Sequence, residues 1–461
     1  MSLVSPTFDA PLLRKLGRPG PRYTSYPTAD RFQNGFGYRD YLAAVAHRRT
    51  RQSGTPLSLY VHIPFCASIC YYCACNKIVT RERDKAAVYL DYLKREITMQ
   101  AALYDGMNRV DQLHLGGGTP TYLSDAQMDE LMAHLRSHFQ FAPDAVGEYA
   151  IEIDPRTVTV ERIASLRRQG FNRLSLGVQD YDERVQRAVN RIQPEVQTQA
   201  IIDAARAFGY RSVNIDLIYG LPLQTLATMA TTLERVIAAD PDRIALYHYA
   251  HMPHLFKAQR MLQDADMPGA DAKLAMLGLA IERLATAGYV YIGMDHFAKP
   301  DDELAVAQRQ GRLHRNFQGY STHADADIVA FGVSAIGAVG ATYSQNAKHL
   351  TAYYAGIDAS TLPIERGVTL SMDDALRRSL IGSLMCHFEL SVAAFEQAFP
   401  IAFADYFAQE LAALADLEAD GLATVTPDWI TVTPKGRLLI RNICMVFDRY
   451  LESGQRHSAT V

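Results

Sequence analysis

Four of the six cysteines stand within ten residues of one another, in the run HIPFCASICYYCAC that carries Cys66, Cys70, Cys73 and Cys75. The remaining two, Cys386 and Cys444, lie far away in helical apolar contexts and read as buried and inert. The spacing C-x3-C-x2-C-x-C places several thiolates on one tight loop, where they can converge on a single site. A structural zinc site would want two knuckles separated by a longer insert. The ferredoxin pattern has similar density but a different first spacing, and commonly a distant fourth ligand. A third chemistry is a 4Fe–4S cluster held by Cys66, Cys70 and Cys73 alone, which leaves one iron open to a small molecule. A disulfide framework does not suit so crowded a set in so long a chain. Met1 to Asp30 has no apolar core of a signal peptide, so the expectation is a cytoplasmic protein with reduced thiols.

The loop follows a β-rich run, and that run is the first of several. LSLYVHI (57–63), VDQLHLGGG (110–118), YAIEID (149–154), RLSLGVQ (173–179), SVNIDLIYG (212–220) and RIALYHYA (243–250) begin 24 to 53 residues apart, the spacing of repeated βα units. Between them Leu90, Leu93, Ile97 and Ala101 recur at helical spacing, as do Ile163, Leu166 and Phe171 with one slip. Ser124 is a candidate N-cap for a helix running to about Phe139. Strand alternating with helix implies a parallel sheet. Polar residues gather at the carboxyl ends of the runs: His62, Gly116 to Gly118, Glu152 with Asp154, Gln179, Asp216, and Tyr247 with His248. Contributions from so many strand ends favour a TIM-like, partial (β/α)6 barrel over an open sheet.

The chain has 461 residues, 48% hydrophobic and 21% charged, which excludes disorder or coiled coil for its bulk. Division into four parts is expected: an N-terminal arm over 1–56 that covers the active site, a barrel over 57–300, a barrel extension and connector over 301–367, and a mainly helical, winged-helix-like domain over 368–461. Lys and Arg number 46 against 50 Asp and Glu, and a net charge of −4 argues against nucleic acid as partner. The longest uncharged stretch, Ile328 to Ala347, is broken by glycines and polar residues, so no membrane span is expected.

C-x3-C-x2-C directly after a first barrel strand resembles the radical S-adenosylmethionine superfamily. The neighbouring segments YVHIPFC (60–66), CACNKIVTR (73–81), GGGTPTYL (116–123), GVQD (177–180), NIDLIYGLP (214–222), HFAKPDDELAVAQ (296–308), HRNFQGYST (314–322) and KGRLLIRNICMVFD (435–448), with RYTSYPTA near the N-terminus, narrow the likeness to the oxygen-independent coproporphyrinogen III oxidase family, over about Tyr23 to Asp448. The resemblance implies a radical S-adenosylmethionine barrel and a 4Fe–4S cluster on Cys66, Cys70 and Cys73. Its open iron would bind S-adenosylmethionine, whose reductive cleavage yields a 5′-deoxyadenosyl radical. It further implies two molecules of S-adenosylmethionine. Tyr60, at the end of the first strand, Gly117, Glu152 and Ile336 would contact the first. Tyr72, Gly118, Thr119, Gln179, Arg191, Asp216 and Ala250 would line the second.

Physical sense accompanies these assignments. Glycines let backbone approach a ligand, Glu152 and Asp216 are acceptors suited to an ammonium or ribose hydroxyls, and Arg191 can pair with a carboxylate. Cys75, Tyr60 and Glu152 are taken as the catalytic set, with Cys75 in the substrate site. His62 reads as a strand-end support. Ala74 and Tyr72 depart modestly from the family pattern, where Gly and Phe are usual. The implied substrate is coproporphyrinogen III, two of whose propionates become vinyl groups in haem biosynthesis, with an electron donor and an acceptor still to be identified. Its carboxylates would call for cations, and Arg22, Lys77, Arg81 and Arg315 are candidates. A monomer is expected. Alternatives are a haem chaperone of the same superfamily, an iron–sulfur winged-helix regulator of DNA, and a zinc-stabilised scaffold.

Overall fold

A computed structural model describes residues 4–51, 54–324 and 326–451. The outermost residues of the expected arm and tail, with 52, 53 and 325, lie outside these described residues.

The six β-rich runs form strands β1 (Leu57–Ile63), β2 (Arg109–Gly117), β3 (Glu148–Ile153), β4 (Arg173–Gln179), β5 (Ser212–Tyr219) and β6 (Arg243–His248). They pair in sequence order, all parallel. Residues on both faces of β1 are buried, as expected for a strand covered by helices on one side and a filled interior on the other. The helices between them follow the apolar spacing. Asp84–Leu103 buries Leu90, Leu93, Ile97 and Ala101. Asp125–His138 begins at a capping box in which Ser124 and Gln127 bond each other's backbone N–H. The helix expected to reach Phe171 stops at Arg168, and the chain then turns through Gly170 at φ +104°, which accounts for the slip in spacing.

Beyond β6 the sheet continues through an antiparallel pair, β7 (Val290–Gly293) and β8 (His296–Ala298). On the other side of β1 the structure adds what the loosened pattern after residue 300 did not reveal. Strand β9 (Asp327–Phe331) lies parallel to β1, and antiparallel β10 (Ile336–Val339), β11 (Thr342–Asn346) and β12 (Ile364–Thr369) follow it. The parallel part therefore gains β9 as a seventh full strand beside the six of the βα series, with the two-residue strand Gln140–Phe141 pairing off the path against β2. The seventh arrives from the far end of the chain, outside the βα rhythm. The uncharged stretch 328–347 is accounted for by this sheet. In the described residues β7 and β12 are the two edges, so the barrel does not close.

The C-terminal region begins with helix Met372–His387 and includes a small sheet of Glu389–Ser391, Trp429–Val432 and Ala423–Val425. Its last part is a 3-10 turn, Gly436–Leu439, followed by a short helix, Ile440–Val446. The N-terminal arm is bound to this region. Tyr23 Oη donates to Asp448 at 3.0 Å, Tyr26 Oη accepts from the Arg449 amide at 3.1 Å, and Arg441 donates to the Gly20 carbonyl at 2.9 Å. One apolar core runs from Leu13 in the arm through the barrel to Phe447. No helix among the described residues is long and apolar enough to cross a membrane.

Candidate active site

At the carboxyl ends of the parallel strands lies a cavity of about 220 Å³, with Cys66, Cys70, Cys73 and Cys75 in its lining. The loop after β2 fixes the start of the cysteine segment. Gly118 N–H donates to Ile63 O and Thr119 N–H to Phe65 O, each at 2.8 Å, so the ends of β1 and β2 are tied together. These glycines are needed for close approach. A Cβ on Gly118 would stand 2.8 Å from the backbone of Pro64 and Phe65, and one on Gly117 (φ +112°) would stand 2.6 Å from the His62 ring. His62 is a support, as expected: Tyr60 Oη lies 3.1 Å from its Nδ1, and the Asn76 carbonyl 3.0 Å from its Nε2.

Cationic and hydroxyl donors surround the thiols. Arg156 and Arg191 each donate to Cys70 Sγ at 3.4 Å, and Thr119 Oγ1 donates to Cys66 Sγ at 3.5 Å. The hydrogen bond from Cys75 and the nearby Lys77 ammonium hold Cys73 down at about 6, against its burial. Burial pushes the Cys66 thiol up to about 11.

The carboxylates stand opposite. Burial alone would raise Glu152, but the His114 ring at 3.0 Å and the Gly117 amide at 3.3 Å hold it below the usual carboxylate range. Asp216 is pushed up to about 6, first by burial and then by the charge of Glu152, although Asn214 and Ser175 donate to it. Gln179 adopts φ +71° where the β4–β5 register shifts, a bulge that re-aims the strand end into the cavity.

The lining thus brings together Cys66, Cys70, Cys73, Cys75, Tyr72, Gly117, Gly118, Thr119, Glu152, Gln179, Arg191 and Asp216, all expected from the sequence. Three expected residues lie outside it. Tyr60 is the fourth of seven residues in β1, not its end, and stacks on His114 with ring centroids 6.0 Å apart. Ala250 is held beside Tyr72, because Gln259 Nε2 donates to both carbonyls, at 3.2 and 3.1 Å. Ile336 begins β10 and packs with Phe317 and Tyr343. Of the candidate cations only Lys77 lines this cavity; Arg22 is paired with Asp295 at 2.5 Å and Arg81 is exposed.

Comparison with known proteins agrees with this geometry. The Radical SAM superfamily model matches residues 60–236, and the HemN C-terminal domain model matches 370–439. Oxygen-independent coproporphyrinogen III oxidase of Escherichia coli is 52% identical, covering 99% of this chain and 98% of its own length. Its counterpart in Pseudomonas aeruginosa is 51% identical, with 97% of each chain covered. The solved structure of Escherichia coli coproporphyrinogen III oxidase (HemN), described as a radical SAM enzyme, superposes with a TM-score of 0.92 at 51% identity, covering 98% of this chain and all of that one. The chain belongs to the oxygen-independent coproporphyrinogen III oxidase family.

Members of this radical SAM family are oxidoreductases of haem biosynthesis that use a 4Fe–4S cluster and S-adenosylmethionine. The residues present fit that pair. The three expected ligand thiols and Cys75 line one cavity with Lys77, Arg156 and Arg191, and the same cavity holds a glycine rim and the carboxylates of Glu152, Asp154 and Asp216. Arg191, lining the cavity, also has a buried Nε without a partner. Its terminal nitrogens are already engaged by Asp154 at 3.2 Å and the Gly177 carbonyl at 2.5 Å. Sequence reasoning missed Arg156 and His114. The signal was present for both: Arg156 follows the polar end of β3 in IEIDPRT, and His114 alternates inward with Gln112 and Gly116 along β2.

Proposed function

We propose that this chain converts two propionate side chains of coproporphyrinogen III to vinyl groups, giving protoporphyrinogen IX. The observation that carries the reading is the convergence of Cys66, Cys70 and Cys73 with Gly117, Glu152 and Asp216 in one cavity at the strand ends. Overall, each propionate gives up a β-hydrogen atom, carbon dioxide and one electron, which an external acceptor receives. When bound, the cluster and S-adenosylmethionine supply the radical chemistry for removing that hydrogen.

The chain's own residues bind and orient. Cys66, Cys70 and Cys73 hold the cluster, and Arg156 and Arg191 offset its anionic thiolates. Glu152, kept ionised by His114, takes the ammonium of the first S-adenosylmethionine beside Gly117, with Tyr60 and Ile336 flanking it. Tyr72, Gly118, Thr119, Gln179, Arg191, Asp216 and Ala250 serve a second molecule. There Arg191, braced by Asp154, offers its Nε. Cys75, hydrogen-bonded to Cys73 and facing the cavity, belongs to the substrate side. The division at 1–56, 57–300, 301–367 and 368–461 separates arm, barrel, extension and cover. The enzyme works as a cytoplasmic monomer apart from nucleic acid and membrane, as its acidic charge and exposed thiol loop favour, with an external electron donor.

Anaerobic incubation with a reductant, S-adenosylmethionine and coproporphyrinogen III tests the reading. Both 5′-deoxyadenosine and the divinyl product should accumulate. Deoxyadenosine without decarboxylation would keep the superfamily and discard the substrate.

A further inference from the structure

A second and larger cavity, about 570 Å³, lies between the arm, the hairpin His314–Asn316/Gly319–Ser321, strands β9 to β11 and helix Met372–His387. Its volume is that of a small-molecule site. Apolar groups form much of its wall, among them Phe317, Tyr343, Ile328 and Ile381. Two arginines, Arg315 of the hairpin and Arg378 of the helix, also line it.

Neither guanidinium has an ion-pair partner among the described residues. Arg315 has Nε and Nη1 buried without a hydrogen-bond acceptor, and its guanidinium carbon lies 4.8 Å from the Tyr320 ring centre. Ser25 Oγ, in the same wall, is buried and unpartnered as well. The sole acid in the described lining, Asp327, is already taken by Arg48 at 2.5 Å and the Gly340 amide at 2.8 Å. Asp295, whose field reaches Arg315, is paired with Arg22. Elsewhere in the interior the rule is the opposite, since Arg48, Arg173, Arg191 and Arg243 each face a carboxylate. The enclosed donors of Arg315 without acceptors are costly, and an incoming anion removes that cost; the half-buried Arg378 adds a second cation to the wall.

Its wall approaches Ile336, which the proposed function sets beside the first S-adenosylmethionine. Ala338 in its wall stands two residues from Ile336 on β10, and Phe317 shares an apolar cluster with Ile336. We propose that this cavity receives the propionate-bearing body of the tetrapyrrole, with Arg315 and Arg378 each binding one substrate carboxylate. The proposal rests on the function given above and adds to it a location and two binding residues, one of them from the C-terminal region.

The test measures binding of coproporphyrin III, the air-stable form, and turnover of coproporphyrinogen III by the cluster-loaded full chain. Arg315→Gln and Arg378→Gln should each weaken binding about tenfold, and the double variant about a hundredfold, with KM rising and kcat changing much less. The tetramethyl ester of coproporphyrin III should bind wild type and variants equally weakly. Iron content and thermal melting report whether a variant has folded. Should a glutamine variant fail there, Arg315→Lys and Arg378→Lys carry the comparison, since they keep the charge but lose the fork and should weaken binding a few-fold. Variants that bind the free acid as tightly as wild type overturn the two-arginine site alone. A wild type that neither binds nor converts the tetrapyrrole overturns the proposed function, and this inference with it.

Discussion

The two ends of the barrel use the same residue types to opposite effect. At the amino ends of the strands, Glu148 of β3 and Arg173 of β4 lie 3.6 Å apart. Arg243 of β6 meets Asp302 at 2.8 Å, Glu303 contacts Arg173, and Thr322 donates to Glu148 at 2.6 Å. Burial would raise Glu148, but His323, Arg173 and Arg243 hold it far below the usual range. Four residues along the same strand, at the carboxyl end, Glu152 has a histidine and an amide as partners. Asp216 beside it has only Asn214 and Ser175, and rises to about 6. Opposite charges that neutralise each other plug the barrel and brace it. At the carboxyl end Asp154 is spent on Arg156 and Arg191, whereas Glu152 and Asp216, with no arginine ion pair among the described residues, are left at the cavity for a ligand's positive charge.

Substitutions at the two ends should separate these roles. The largest effect is expected from Cys70→Ser, which should abolish both the bound iron and the activity, while Cys75→Ser keeps the iron and loses turnover. Loss of iron in the second variant, measured by metal analysis, would overturn the three-cysteine assignment. Next, Glu152→Gln should lower kcat/KM by 10²–10³ with little change in denaturant midpoint, as for removal of a single well-placed polar group from an active site. At the other end Arg173→Met should remove the arginine ion-paired with Glu148 and cost about 3–5 kcal/mol in urea unfolding. Its activity, assayed under folding conditions, should stay near wild type. If Arg173→Met impaired catalysis as much as Glu152→Gln, the contrast between the ends would fail.

The smallest effects are in pH dependence, and they have opposite signs. Glu148, depressed when folded, contributes stability that is complete above the ordinary glutamate pKa of about 4.3 and fades as pH falls below it. His323, raised chiefly by its bond to Glu148, contributes stability that is complete below about 6.5 and is lost as pH rises through its folded value. Glu148→Gln should therefore cost most between about pH 4.3 and 6.5. Asp216, raised to about 6, works the other way: the folded state loses stability as pH climbs from about 3.9 towards 6. Asp216→Asn should recover on the order of 2 kcal/mol above that window, read as a change in unfolding free energy across the pH series.

Much of the barrel could be read along the chain, because each βα unit carries its own period and its own polar end. All six β-rich runs became strands within two residues of their expected ends, and the Ser124 cap formed. The cysteine loop was legible for a similar reason: its ligating residues are close neighbours, so local spacing already encodes their convergence. Strand β9 was not legible, since it joins β1 from 270 residues away, where Ile328 aligns with Ser58, and no local rhythm announces such a partner. His114 became a partner of Glu152 only when β2 and β3 were placed side by side in register.

The arginines show the limit most clearly. Arg22, Lys77, Arg81 and Arg315 are equivalent as charges in a string of residues. Folding pairs Arg22 with Asp295, exposes Arg81, sets Lys77 beside the thiols, and leaves Arg315 without an ion-pair partner among the described residues, in a cavity shared with Arg378. Residue chemistry and short-range spacing specify which groups can react or ligate. Whether a charge is spent on a neighbour or kept for a ligand depends on what lies within a few ångströms of it in space, because pairing and desolvation act over that range and take no account of sequence distance.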